Sequence, residues 1–151
     1  MVTGSLRALA LLACFLMMMV AAGCSSTRAL RSGDYGSVAP DDLVKAGKSH
    51  DSELAPPLRQ LLETRLNQGE DAVSEDQAIE AVIALGKVGG RRDSAILLKV
   101  LETEPSADVR FFAVDALHAL DAVAFQEAAP RLRESEGSDL VRGRYDQPLA
   151  P

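Results

Sequence analysis

The residues able to do chemistry in this chain are few. Histidine occurs twice, at His50 and His118. Asp115 and His118 stand at i,i+3, which on a helix makes half of a metal site, but a tetrahedral site wants three or four ligands and no Cys lies near either His. Ser, His and Asp all occur without the glycine-framed turn of a nucleophile or any other catalytic spacing. There is neither a phosphate loop nor a His-x-x-x-His pair. The chain therefore reads as non-enzymatic, with no metal, no cofactor and no catalytic residue expected.

What remains is chemistry of recognition and attachment. Arg110 and Arg142 lie 32 positions apart, which matches an internal period. Phe112 falls at the phase of Glu80 and Arg144, so it puts an aromatic ring on an otherwise polar stripe, either covered by the N-terminal segment or exposed as an anchor for a partner. The net charge of −6 and the lack of a basic stripe exclude nucleic acid as the expected partner.

These residues are positioned by a repeat. Sliding the chain by 32 positions lays Ile79 on Phe111, Ala81 on Ala113, Val82 on Val114, Ala84 on Ala116, Leu85 on Leu117 and Val88 on Leu120. A second step carries Val109 and Arg110 onto Val141 and Arg142. Such a period marks stacked helical units, none of which buries its apolar face alone. Composition agrees: 151 residues, 47% hydrophobic and 25% charged, without Trp, suit one small helical domain. Ser74 and Gln77 form a capping-box pair, Gly89 and Gly90 end that helix, and the Glu104-Pro105-Ser106 turn restarts the chain. The helix then runs to about Leu120. Pro130 is expected to kink its partner, and the segment after Gly137 begins the motif and abandons it as an end cap.

The run from Asp108 through Leu120, with its Asp-Val-Arg start, small middle residues and Ala-Leu near the end, resembles the HEAT repeats, particularly the short HEAT-like units also found in phycobilin lyases. Ala84-Leu85-Gly86 keeps the family's glycine, and Ala116-Leu117-His118 departs from it. The resemblance spans roughly residues 54–145. It implies an all-α fold, a short α-solenoid of about two to three hairpins, and protein binding. It also implies that Arg110 and Arg142 are structural, bridging to an Asp of a neighbouring unit, with Asp76, Asp93 and Asp121 as partners. In such solenoids the second helices line the concave side, which makes Arg59, Glu63, Lys99, Glu102 and Arg131, together with Phe112, the candidate protein-binding residues.

Attachment is written at the amino end. Arg7 is the sole charge among residues 1–23, and Ala8–Ala22 is an unbroken apolar run of 15 residues. That is shorter than the roughly 20 residues needed to cross a bilayer, so it reads as the core of a secretory signal. The run ends Val20-Ala21-Ala22-Gly23-Cys24-Ser25, which resembles the lipobox of bacterial lipoproteins, although the family prefers Leu where Ala21 stands. The resemblance implies cleavage before Cys24, lipidation of Cys24, and, with Ser25 rather than Asp next, an address on the outer membrane facing the periplasm. Cys14 leaves with the leader, so the mature chain has no internal disulfide, and losing Arg7 takes the charge from −6 to about −7. Residues 24–53 mix Ser, Gly and charge and read as the lipidated Cys with a flexible tether spanning roughly 30 Å. A short helix is written at Pro40–Gly47, though with little to bury. Residues 54–145 form the repeat domain and 146–151 a polar tail.

The function expected is thus a membrane-anchored lipoprotein whose repeats bind another envelope protein as a scaffold. Two other readings stand beside it: an accessory or lyase-like enzyme, suggested by the lyase relatives of such repeats, and a purely structural envelope lipoprotein.

Overall fold

The structure, a computed structural model, describes residues 24–148. The leader assigned to residues 1–23 and the last residues of the tail, 149–151, lie outside the described residues. Among the described residues the fold is all-α. Eight helices follow in order: α1 (Cys24–Ser32), α2 (Pro40–Lys48), α3 (Ala55–Gln68), α4 (Glu75–Val88), α5 (Ser94–Thr103), α6 (Ala107–Leu120), α7 (Ala122–Ser135) and α8 (Asp139–Asp146). Short 3-10 turns lie at Tyr35–Ser37, Ser52–Leu54 and Arg91–Asp93. No described helix is long and apolar enough to cross a membrane.

Helix starts follow the 32-residue period. The hydroxyls of Ser74, Ser106 and Ser138 accept from the backbone N–H of Gln77, Val109 and Val141, at 3.3, 3.3 and 3.5 Å, capping α4, α6 and α8. Each satisfies a donor that the first turn of a helix cannot pair internally. At Ser74 the Gln77 side chain completes the box by accepting from the Ser74 N–H at 2.9 Å. Asp121 caps α7 through the Ala124 N–H. That helix continues through Pro130 to Ser135.

Helices in alternate positions pack side by side. α2 lies on α4, α4 on α6 and α6 on α8, while α1 lies on α3, α3 on α5 and α5 on α7; α3 and α5 also pack on α4 and α6 of the other row. Small residues set the spacing in the first row. A Cβ added to Gly47 would stand 3.0 Å from the Ala84 Cα, and one on Gly86 would stand 3.0 Å from the Ala116 Cβ. His118, one period after Gly86, has a large ring where α4 has none, and the next helix of the row after α6 is the short α8.

The amino-terminal segment departs from the tether expected of it. Leu30, Tyr35, Val38 and Leu43 are buried in the same core as Leu58, Leu85 and Leu117. The Gln77 amide donates to the carbonyls of Tyr35 and Val38 at 2.8 and 2.6 Å. Arg31 reaches Glu53 at 3.2 Å. Helix α2 begins with Pro40 at its first turn, with Asp41 and Asp42 at its positive end and Lys45 and Lys48 at its negative end. Despite its few apolar residues it packs closely on α4, because Ala46 and Gly47 let the backbones approach. The loop between α3 and α4 also buries one side chain completely, Val73.

Candidate functional site

Two buried carboxylates one period apart, Glu104 and Glu136, are each clamped by an arginine from another helix. Glu104 and Glu136 follow α5 and α7, and each carboxylate turns back to accept from a backbone N–H two residues on, Ser106 at 3.2 Å and Ser138 at 2.8 Å. Arg65 grips Glu104 through Nη2 at 2.8 Å and Nε at 3.2 Å, and its Nη1 donates to the Val73 carbonyl. Arg110 grips Glu136 through Nη2 at 2.7 Å and Nε at 2.8 Å. The first pair is buried, with side-chain exposures of 4% and 1% for Arg65 and Glu104, and in the second Glu136 is buried and Arg110 half-buried. Arg110 Nη1 donates to the Glu104 carbonyl, as Arg142 Nη1 does to that of Glu136. Hydrogen bonding to Arg110 first, and then to Ser138, holds the Glu136 carboxyl below its ordinary range.

The sequence expectation for Arg110 is corrected here. Its partner is Glu136 and not Asp76, Asp93 or Asp121. Asp93 is occupied by Arg59 at 2.5 Å and by the Gly90 N–H, and its side chain is wholly buried. Arg142 pairs with Asp139 at its own helix start. The carboxylates, their serine donors and the arginines that bond the Glu104 and Glu136 carbonyls are written in the sequence as Glu-x-Ser-x-x-Val-Arg at 104–110 and again at 136–142, but Arg65 lies outside both copies. A search for apolar periodicity passes over this pattern because its conserved-phase residues are polar.

The other constellation is a groove of about 530 Å³ along the row α4, α6 and α8, closed at one end by the turn after α2. Its floor exists because Gly86 and Ala116 have almost no side chain where the two helices meet. Ile83, Phe111 and Phe112 wall it. The two phenyl rings meet edge to face, 5.4 Å apart, a favourable arrangement for aromatic quadrupoles. The Arg144 guanidinium lies over the Phe111 ring at 4.8 Å and pairs with Asp115 at 2.5 Å. Lys87 and His50 stand at the rim, and His50 takes a left-handed backbone, φ 54°, an uncommon conformation in which His is enriched. The polar rim therefore carries Lys87, Arg144 and His50 against the single carboxylate of Asp115, which Arg144 already engages.

Sequence-predicted residues distribute unevenly over these features. Phe112 is half-buried in the groove wall, in contact with the core on one side. Arg131 and Glu102 bridge α7 and α5 at 2.6 Å on the surface of the other row, and Lys99 on α5 and Glu63 on α3 are exposed. Arg59 is half-buried in its pair with Asp93. The groove and these charges thus belong to different rows of helices. His50 enters the groove, a placement its sequence context did not indicate, whereas His118 stacks edge-on against Phe125 at 5.2 Å. Among the described residues no three His, Cys, Asp or Glu side chains gather as metal ligands.

No family model, curated protein or solved structure matches this chain.

Proposed function

We propose that the protein is a lipid-anchored helical-repeat module of the bacterial cell envelope that binds another envelope protein through the groove around Phe112. Its two rows of helices are taken as a short α-solenoid of HEAT-like hairpins, with α2 and α3 as the first pair and α8 as the end cap. Support for the solenoid comes from the repetition, at a spacing of 32, of the serine caps, of the carboxylates Glu104 and Glu136, and of the Arg110 and Arg142 bonds to the carbonyls of those two glutamates. The observation carrying the recognition reading is the groove itself. Phe111 and Phe112 wall an open apolar depression between α4 and α6, and such a patch is where a partner's side chain gains most from burial. The charged residues Glu63, Lys99, Glu102 and Arg131 on the other row supply at most a secondary, rim-like contact, since exposed pairs contribute only about 0–1 kcal/mol.

Anchoring through Cys24 rests on the lipobox-like residues before it. With α1 starting at Cys24 and Leu30 already in the core, the six helical steps from one to the other rise only about 9 Å. The anchored module would be held close to the bilayer, where a flexible tether would have let it stand roughly 30 Å away.

Two experiments test this reading. Cells fed a clickable fatty acid should label the wild-type protein and not Cys24→Ser, which should accumulate with its leader; equal labelling of both would end the anchoring proposal. A photo-crosslinking residue at the exposed, groove-lining Ala119 should capture one recurrent envelope protein, and the same residue at Lys99 on the opposite row should not. Indiscriminate capture from both positions would count against the groove.

A further inference from the structure

The groove's charge is opposite in sign to that of the molecule. The chain carries a formal net charge of −6. Yet the mouth of its apolar groove presents Lys87, Arg144 and His50 against Asp115 alone. Arg144 is committed to Asp115 and to the Phe111 face. Lys87 makes no salt bridge among the described residues and stands on the last turn of α4, beside the depression left by Gly86. An apolar floor with an uncommitted cation at its lip is complementary to an apolar side chain with an anion close beside it. The groove is open along one side and of a size, about 530 Å³, at which a few side chains fit together. That shape suits a segment laid across the helices.

Resting on the recognition reading above, we propose that the groove takes an extended segment of the partner protein in which an aromatic or aliphatic residue is followed directly by a carboxylate residue. The apolar side chain seats against Phe111, Phe112 and Ile83, and the carboxylate meets Lys87. Burial of the apolar side chain provides most of the affinity, and the ion pair provides direction and selectivity, because a rim charge is partly hydrated and screened by salt.

The test uses 19F spectra of the full chain labelled with 4-fluorophenylalanine. Four phenylalanines give few lines, and Phe125, packed between His118 and Tyr145 away from the groove, serves as an internal control. The probes are two short capped peptides, one with Leu-Phe-Glu at its centre and an otherwise identical one with Leu-Phe-Gln. The Glu peptide should shift the Phe111 and Phe112 signals saturably and leave Phe125 in place, and the Gln peptide should bind about threefold more weakly, the scale of an exposed ion pair. In Lys87→Gln the two peptides should bind alike. Equal binding of both peptides by the wild type, or a gap that survives Lys87→Gln, overturns the carboxylate preference. Absence of saturable shifts with either peptide overturns it as well, and the Ala119 crosslink, which involves no charge, decides separately whether the groove binds protein at all. Decanoate binding more tightly than the Glu peptide would give the groove to a small amphiphile, and shifts that grow with protein concentration alone would give it to a second copy; either contradicts the proposal.

Discussion

Removal of the Arg65 side chain from its clamp is the sharpest perturbation of the fold. Glu104 is 1% exposed at its side chain and is held by two Arg65 nitrogens, with Ser106 N–H as a further donor. Arg65→Met retains the bulk of the aliphatic stem and deletes the charge, so Glu104 stays buried with one N–H for company and the Val73 carbonyl loses its donor. Deleting one partner of such a pair costs about 3–5 kcal/mol. That is a large part of the roughly 5–15 kcal/mol available to a domain. At about 4 °C per kcal/mol for a domain of this size, melting should fall by roughly 12–20 °C. Glu104→Gln should cost less, because an amide still accepts from Ser106 and Arg65. The double variant Arg65→Met with Glu104→Met leaves no buried charge and should recover much of the loss, so the effects should be strongly non-additive. Denaturant titration monitored by far-UV circular dichroism gives each value. A loss below about 1 kcal/mol for Arg65→Met, or strict additivity in the double variant, would refute the clamp.

Two other substitutions probe the repeat. Gly86→Ala should gain about 1 kcal/mol of helix propensity and lose about 1–3 kcal/mol to crowding against Ala116, for a net loss that chemical denaturation will detect; a gain would mean that α4 and α6 are farther apart than described. Glu136 is held below the ordinary carboxylate range by the hydrogen bonds it accepts from Arg110, so its contribution is complete above that range and is lost as pH falls through its lower folded value. Stability measured along that acid limb should therefore drop with falling pH, and Glu136→Gln should flatten the drop; an unchanged acid limb in the variant would place the effect elsewhere.

The parts of the fold that were legible in the sequence are those written as apolar period and cap. The starts of α4 and α6 followed from Ser74 with Gln77 and from Ser106, and the burial of Val82, Leu85, Val114 and Leu117 from their spacing. The short helix at Pro40–Lys48 was legible from its Pro, acids and Gly, but its docking was not, because α2 is held on α4 through the near absence of side chains at Ala46 and Gly47. The clamps were missed for the converse reason: Glu104 and Glu136 are carboxylates, and only the geometry pairs them with arginines from Arg65 and Arg110 on other helices. Phe112 was visible as an aromatic ring at a polar phase, but the groove around it depends on Gly86, His50 and Arg144, which come from three separated segments.

The most direct test of the central claim, that the groove recognises a partner, is to place Phe112→Ala in the chain carrying the Ala119 crosslinker and to measure crosslink yield and melting temperature together. Phe112 is half-buried, so truncation should cost no more than about 2 kcal/mol, roughly half the 3–5 kcal/mol of a fully buried Phe, and leave the chain folded. The account predicts that the crosslinked species disappears while the protein still melts cooperatively within roughly 8 °C of the parent. An undiminished crosslink in a folded Phe112→Ala protein, or a collapse of folding on truncation, would contradict it.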